Sequence, residues 1–572
     1  MPTSRHLMVF VTCAAVLATL ATTATAATAG PDPLARFHSQ HVDWHACALG
    51  PGDELGRRLD SAGADCAGIA VPLDYAEPGG RTLTVAISRL KATDTAHRVG
   101  PLLFNDGGPA GPGLHMPLTK SEVMGTVAGR YDLIGMDPRF VGRSTPLDCG
   151  WNLGSAPLRS AGTGPAAYRE EVTLARELAR QCERAQGEVL PYVTTRNTAR
   201  DMDVIRAALG ADTLSYVGYS YGSYLGEVYT QLFPGRTGRM VLDGVMFPPR
   251  YSPALLRGAE AANEAALRAW ASWAATRDGT YGLGATRGQV LATVKHLLDA
   301  AARRPLRIGK EYLLDEHVLP TVLLGGLGSD LDERRADLAD TVRLLARAAD
   351  REPVEPSDRL AGQLEFLLTG AGSAAAGQMT AIICGDVAER RGVRSYWRAV
   401  ETSRERFPLS GPVAGNITPC EFWDRPAEAP TVLDNDVPAL LVAATGDPRT
   451  PYAGAEAMRG QWPGSRLLTV RGARQHGLYG EYGNACVDTL VNGYLRSGRL
   501  PPHDPACEAS DPRVPHQEPP AERQVTLGGS CPVASLLGRR PSRPRASASP
   551  AVARATPTAV ARAGTPERAP KP

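Results

Sequence analysis

Short apolar segments alternate with stretches of helical periodicity over residues 66–245. Strands are predicted at residues 69–75, 83–90, 102–105, 131–137, 214–218 and 239–245. Apolar positions with helical spacing cover residues 166–185 and 198–209, and they return after residue 220. Because a strand repeats every two residues and a helix every 3.6, this alternation predicts a mostly parallel sheet with helices on both faces.

The strand pattern disappears between residues 247 and 431. This part is rich in Ala, Leu and Arg, with helical spacing at residues 254–275, 290–302 and 330–348. Strand patterns return at residues 439–444 and 466–470. We therefore predict an α/β core formed by residues 30–246 and 432–510, interrupted by a helical cap at residues 247–431.

The first 29 residues have the layout of a secretory signal peptide. Arg5 and His6 precede an apolar run at residues 7–20, and A-x-A sites follow at residues 24–26 and 27–29. A membrane anchor and a lipoprotein attached through Cys13 are the alternatives. The run is short and Cys13 lies inside it, so we expect a secreted chain without stable membrane insertion.

Composition narrows the choice of partners. The 572 residues are 43% apolar and 21% charged, with a net charge of +2, which gives no reason to expect nucleic acid as a partner. Residues 511–572 are rich in Pro, Ala, Ser and Arg and are predicted to form a disordered tail. Basic residues in this tail leave open a weak association with an anionic cell wall.

Eight cysteines form neighbouring pairs along the chain, which agrees with export to an oxidising compartment. The sequence leaves their connectivity open, and nearest-neighbour pairing is the simplest hypothesis. It joins Cys47 with Cys66, Cys149 with Cys182, Cys384 with Cys420, and Cys486 with Cys507. Cys531 is left over in the tail, and no cysteine or histidine spacing suggests a metal site.

Ser220 is the strongest candidate for chemistry. It lies in the segment Gly-Tyr-Ser-Tyr-Gly at residues 218–222, between a predicted strand and a predicted helix. A tight strand-to-helix turn needs small flanking residues and raises the serine hydroxyl above the sheet edge, where it acts as a nucleophile. An ordinary turn serine is the alternative.

A serine nucleophile needs a base and a carboxylate that orients the base, in the chain order serine, acid, histidine. Asp447 directly follows the predicted strand at 439–444, and His476 follows the one at 466–470. A turn aspartate and a surface histidine are the alternatives. His503 lies in a Pro-rich stretch and is a weaker candidate, while His115 and His317 precede the acid.

An oxyanion hole requires backbone N–H donors near the nucleophile. The residue after the nucleophile, Tyr221, supplies one. The loop at residues 105–111, which follows the third predicted strand, contains two consecutive glycines, and we expect the N–H of Gly108 to be the second donor. A plain Gly/Pro turn is the alternative for this loop.

Several motifs together resemble a known family. They comprise residues 71–75 (VPLDY), 105–109, 135–139 (GMDPR), 142–144 (GRS), 218–223, 446–451 (GDPRTP), 494–495 and the flanking Cys486 and Cys507. Over about residues 44–507 the chain is similar to secreted tripeptidyl-aminopeptidase-like serine peptidases of actinobacteria, relatives of the prolyl iminopeptidases. Ala110 stands where that family usually has glycine, and Gln475 stands where it commonly has a small residue.

The resemblance implies an α/β-hydrolase fold with a helical cap and a triad of Ser220, Asp447 and His476. Thr450 then lies close to the triad acid. The implied activity is cleavage near a free peptide N-terminus, releasing short peptides such as tripeptides, with no metal or organic cofactor.

A carboxylate in the cap would favour a peptidase by binding the substrate ammonium. Asp386 and Glu421 are the candidates, and structural carboxylates are the alternative. An extracellular esterase or lipase with the same triad is the second functional hypothesis, and a non-catalytic binding protein is the third.

Overall fold

The computed structural model describes residues 32–387 and 389–510. The predicted signal peptide, Cys13, the predicted tail and Cys531 lie outside the described residues. The strands, in chain order, are β1 (Asp65–Pro72), β2 (Thr82–Leu90), β3 (Gly100–Asn105), β4 (Tyr131–Met136), β5 (Leu214–Tyr219), β6 (Thr237–Asp243), β7 (Leu306–Ile308), β8 (Tyr312–Leu314), β9 (Ala439–Ala444), β10 (Ser465–Arg471) and β11 (Ala506–Glu508).

Nine of these strands form one twisted sheet in the order β1-β2-β4-β3-β5-β6-β9-β10-β11. Strands β1, β2 and β4 pair antiparallel, and every pair from β4 to β11 is parallel. The predicted mostly parallel sheet is confirmed. The carboxyl ends of its parallel strands lie at one edge, where the loops after β3, β5, β9 and β10 come together.

Helices cover both faces of the sheet and fill the segment between β6 and β9. They are α1 (Ala35–His38), α2 (Glu54–Ser61), α3 (Met116–Met124), α4 (Pro165–Gln186), α5 (Thr195–Ala208), α6 (Tyr221–Leu232), α7 (Glu260–Ala275), α8 (Asp278–Tyr281), α9 (Arg287–Arg303), α10 (Leu319–Gly326), α11 (Asp332–Ala349), α12 (Asp358–Leu368), α13 (Ser373–Asp386), α14 (Val393–Arg406), α15 (Gly411–Ala414), α16 (Tyr452–Gln461) and α17 (Ala485–Ser497).

The two faces of the sheet pack into separate apolar clusters because neighbouring strand residues point in opposite directions. Along β3, Leu103 joins one cluster, while Leu102 and Phe104 join the other. A third cluster lies among α7, α9, α10, α11 and α12. All described residues nevertheless belong to one compact unit, so the cap boundaries at residues 247 and 431 stay predictions.

Three short strands were not predicted from the sequence pattern. The β7–β8 hairpin lies inside the segment in which no strand was expected, and β11 adds an edge strand after α17. Each has three residues, which is too short for an alternating pattern to stand out. Strand β1 begins at Asp65, four residues before the predicted start.

Four disulfides join the cysteines in the nearest-neighbour pattern. Cys384 at the end of α13 is bonded to Cys420, and Cys486 in α17 is bonded to Cys507 in β11. A disulfide stabilises the fold by restricting the unfolded chain, typically by about 2–4 kcal/mol each.

Across residues 32–387 and 389–510, no single helix is both long and apolar enough to cross a membrane. One bent pair, α12 together with Gly370–Asp386, meets that criterion on length and composition alone.

Candidate active site

Ser220 lies in a strained turn between β5 and α6. Its backbone adopts φ 56° and ψ −123°, and its N–H donates to the carbonyl oxygen of Asp243 at 2.8 Å. A Cβ at position 218 would approach the carbonyl oxygen of Gly222 to 2.4 Å, and one at position 222 would lie 2.8 Å from that of Asn105. Both flanking glycines are therefore required by close backbone contact, and the turn directs Ser220 to the edge of the sheet.

Asp447 and His476 are in direct contact. The imidazole Nδ1 lies 2.9 Å and 3.1 Å from the two carboxylate oxygens. Asp447 also accepts hydrogen bonds from the hydroxyl of Thr450 at 2.8 Å and from the backbone N–H of Arg449 at 2.7 Å. A carboxylate held in this way fixes the proton on Nδ1 and leaves Nε2 free to accept another proton.

Gly244, which the sequence analysis did not select, forms one wall beside the imidazole. It follows β6 with φ 65°, and a Cβ there would lie 3.1 Å from Cε1 of His476. A side chain at this position would therefore press on the ring and be strained by the positive φ. A glycine directly after a predicted strand was the available signal, but it does not reveal what the glycine contacts.

Asp243 supports the loop that carries His476 and was also missed. One of its carboxylate oxygens accepts the N–H of Leu478 at 2.8 Å and that of Tyr479 at 2.7 Å. Burial raises the pKa of Asp243 to about 6. This carboxylate holds the loop directly after the histidine.

The helical segment between β6 and β9 contacts the loop that carries Asp447 and the loop that carries His476. The N–H of His476 donates to the carbonyl of Gly328 at 2.9 Å. On the acid loop, the amide of Asn263 donates to the carbonyl of Pro448 at 2.6 Å and accepts from the Arg449 guanidinium at 3.0 Å. The positions of the acid and the histidine therefore depend on the inserted helices as well as on the sheet.

The glycine loop after β3 packs against the serine turn. Gly107 and Gly108 adopt φ 88° and φ 110°, and a Cβ on Gly107 would lie 2.4 Å from the carbonyl oxygen of Tyr219. Ala110 adopts φ 71°, a conformation that glycine adopts with less strain, at the position where the resembling family usually has glycine. Ala110 is therefore one of the few non-glycine residues of the described chain with a positive φ.

A cavity of about 630 Å³ brings these groups together. Ser220, Gly108, His476 and Thr450 all line it. Its walls are largely apolar and include Met246, Leu158, Leu255, Leu256, Val322, Leu324, Leu338, Phe366, Leu367, Met379 and Val413. The charged side chains of its lining are Arg334, Asp337, Asp358, Arg359 and Arg449.

Asp386, predicted as an ammonium anchor, does not line this cavity. It is fully buried and accepts hydrogen bonds from the N–H and hydroxyl of Thr195 and from the hydroxyl of Tyr251. The hydroxyl of Thr195 also contacts that of Tyr221. Burial raises the pKa of Asp386 to about 6. The prediction is corrected because this carboxylate joins α13 to α5 in the protein interior.

Glu421, the other predicted anchor, also lies outside the cavity lining. Its carboxylate accepts the backbone N–H groups of Arg391 at 2.9 Å and Gly392 at 3.2 Å. It holds the turn that precedes α14, so this prediction is corrected as well. The weaker histidine candidates, His115, His317 and His503, are not part of the lining either.

Within the described part of the chain, no group of three or more His, Cys, Asp and Glu side chains has the arrangement to hold a metal ion. A serine on a strand–turn–helix, followed in the chain by an aspartate and a histidine after later strands, defines the α/β-hydrolase class of enzymes. The sheet and the loops described above place this chain in that class.

Comparisons with known proteins narrow the class. A family model described as alpha/beta hydrolase fold matches residues 100–290, and one described as TAP-like protein matches residues 408–507. The tripeptidyl aminopeptidase of Streptomyces lividans is 34% identical, covering 85% of this chain and 89% of the relative. The chain belongs to the tripeptidyl aminopeptidase family of α/β-hydrolases, so the predicted resemblance is confirmed.

Two further relatives carry different names. Serine protease Hip1 of Mycobacterium bovis is 30% identical over 82% of this chain and 91% of its own length. A Mycobacterium tuberculosis protein named carboxylesterase B is 29% identical over 84% and 92%, respectively.

Proposed function

We propose that this chain is an exported serine exopeptidase that releases short peptides, tripeptides in particular, from free peptide N-termini. The observation that carries the proposal is the single cavity shared by Ser220 and by His476, whose imidazole is held by Asp447. The names of the tripeptidyl aminopeptidase and serine protease relatives support a peptide as substrate.

The proposed reaction passes through an acyl-enzyme. Ser220 Oγ attacks the scissile carbonyl while His476 Nε2 takes the serine proton and then gives it to the leaving amine. Asp447 holds the imidazole tautomer and stabilises the imidazolium that forms. A water molecule then loses a proton to His476, attacks the ester and releases the peptide, and Ser220 regains its proton.

The oxyanion is proposed to bind the backbone N–H groups of Gly108 and Tyr221. Gly108 lines the cavity beside Ser220, and Tyr221 begins α6 directly after it. Donors at the start of a helix face the developing negative charge with favourable polarity. Thr450 is proposed to keep Asp447 oriented through its 2.8 Å hydrogen bond.

Selection of a free N-terminus is proposed to come from the walls that the inserted helices build around Ser220. They are proposed to limit how much chain can extend on the acyl side of the scissile bond. The mostly apolar lining favours substrates with apolar side chains near that bond.

The test compares a free and an N-acetylated tripeptide with the same chromogenic anilide leaving group. Acetylation removes a charge and adds bulk, and we expect kcat/KM to fall by at least about tenfold. Equal rates for the two substrates would contradict the aminopeptidase proposal. The Ser220→Ala variant of the same preparation is the control for background hydrolysis.

An esterase is the second candidate function, and the carboxylesterase B relative is the observation that favours it. The same nucleophile and base hydrolyse esters and amides, so the substrate pocket decides between the two. The measurement compares kcat/KM for a tripeptide anilide with that for p-nitrophenyl acyl esters. Turnover of the esters without measurable turnover of any free peptide would favour the esterase.

Export is proposed through cleavage of residues 1–29, and the four disulfides support an oxidising destination. N-terminal sequencing of protein from culture medium tests the cleavage site. A weak association of residues 511–572 with an anionic cell wall is also proposed, and a salt wash of intact cells tests it.

A further inference from the structure

Arg334 is a charged group in the cavity that the proposed reaction does not use. It lies in the first turn of α11, is partly buried and shares the cavity with Ser220 and His476. Among residues 32–387 and 389–510, its guanidinium forms no hydrogen bond or ion pair. A partly desolvated guanidinium whose donors are unused within the protein is available to bind an anion.

The charges around Arg334 do not neutralise it. The lining contains three arginines and two aspartates, an excess of one positive charge. Asp337 is already paired with Arg359 at 2.5 Å. Burial and the nearby Arg359 lower the pKa of the Arg334 guanidinium, so its charged form gains from an added negative group.

Arg334 lies close in the chain to a segment that contacts the histidine loop, where the leaving part of a peptide would be. Residues 328–331 directly precede helix α11. This segment binds the histidine loop through the carbonyl of Gly328 and through Asp330, whose carboxylate accepts the N–H of Arg474 at 2.8 Å. His476 gives its proton to the leaving amine, so groups beside its loop face the leaving segment. The side chains of Asp337 and Arg359 next to Arg334 are 44% and 56% exposed, and this end of the cavity therefore opens to solvent.

We propose that Arg334 binds the C-terminal carboxylate of the leaving segment, which makes short peptides with a free C-terminus the preferred substrate class. The inference rests on the proposed peptidase function. Because an extended chain advances about 3.3–3.6 Å per residue, a leaving segment of one or two residues keeps its carboxylate within reach of a long side chain near the histidine loop. The planar fork of Arg matches a carboxylate with two hydrogen bonds.

The test uses a tetrapeptide and a pentapeptide with free N-termini, each prepared as the C-terminal carboxylate and as the C-terminal amide. We expect the wild-type protein to prefer the carboxylate by about tenfold or more in kcat/KM, as expected for a charge-assisted hydrogen bond. Arg334→Gln should bring this ratio close to one, and Arg334→Lys should restore part of it through the charge alone. Most of the change should appear in KM.

Arg343→Gln is the matched control, since it removes a guanidinium from the same helix that is paired with Asp340 and lies outside the cavity lining. It should keep the carboxylate preference. A wild-type ratio near one, or a preference that survives Arg334→Gln, overturns this inference. The tripeptide anilide carries no carboxylate at its leaving end, so its cleavage by the wild type tests the proposed function separately.

Discussion

Gly244 and His476 are in contact across the candidate site, although they are 232 positions apart in the chain. A Cβ on Gly244 would lie 3.1 Å from Cε1 and 3.4 Å from Nδ1 of the imidazole. The glycine directly follows β6, while the histidine follows β10, which lies two strands away in the sheet. The absence of a side chain at residue 244 therefore makes room for the ring.

Replacement of Gly244 by alanine should lower kcat by about tenfold or more, since the added methyl group displaces the imidazole by a few tenths of an ångström. Gly210→Ala is the matched control. Gly210 also has φ 65°, but a Cβ there meets no atom within 4 Å. Both variants should lose about 1 kcal/mol of unfolding free energy from backbone strain, and only Gly244→Ala should lose activity. Equal activities would contradict the role given to this contact.

Ser220→Ala should fold normally and lose about 10⁴-fold or more in kcat. The same variant should no longer be labelled by a fluorophosphonate probe, which reacts with activated serine hydroxyls. Ser223→Ala, three residues along α6, is the control and should still be labelled. Retention of probe labelling in Ser220→Ala would remove Ser220 from the mechanism.

Asp447→Asn should keep the loop but lose about 10⁴-fold in kcat, because an amide stabilises the wrong imidazole tautomer. Thr450→Val removes one hydrogen bond to the carboxylate and should cost about tenfold. The pH–rate profile separates the two variants from a folding defect, since both should shift its acidic limb. Wild-type kcat in Asp447→Asn would contradict the proposed acid.

The pH dependence of stability should reveal the buried carboxyl group of Asp386. Its pKa is raised from 3.8 to about 6 in the folded state, so the folded protein binds the proton more tightly than the unfolded chain does. The resulting stabilisation is present below about pH 4 and is lost as the pH rises through about 6. Asp386→Asn carries no titrating group and should gain stability relative to wild type over this range, by about 2–3 kcal/mol.

Urea unfolding of both proteins at pH 4.5 and pH 7.5 measures this difference. Asp53→Asn is the control, because hydrogen bonds and Arg143 lower the pKa of Asp53 and its contribution changes only below about pH 4. A constant difference between wild type and Asp386→Asn would contradict the raised pKa.

The sequence by itself determined those features that depend on residues close together in the chain. The serine turn could be predicted because Gly218 and Gly222 flank Ser220 within one strand-to-helix motif. Asp447 and His476 could be predicted because each follows an apolar strand. Together with Ser220 they also occur in the chain order serine, acid, histidine. Nearest-neighbour pairing of the cysteines also agreed with the structure, in which the two cysteines of each disulfide are 19 to 36 residues apart in the chain.

Only the tertiary structure decided which side chains from distant segments share a space. Asp386 had the right chemistry for an anchor, but packing of α13 against α5 buries it with Thr195 and away from the cavity. Nothing in the sequence marked Arg334 as a cavity residue, because an arginine in the first turn of a helix is usually exposed. Arg334 lines the same cavity as Ser220 because the inserted helices lie over the sheet edge, and contacts between such distant segments leave no period in the sequence.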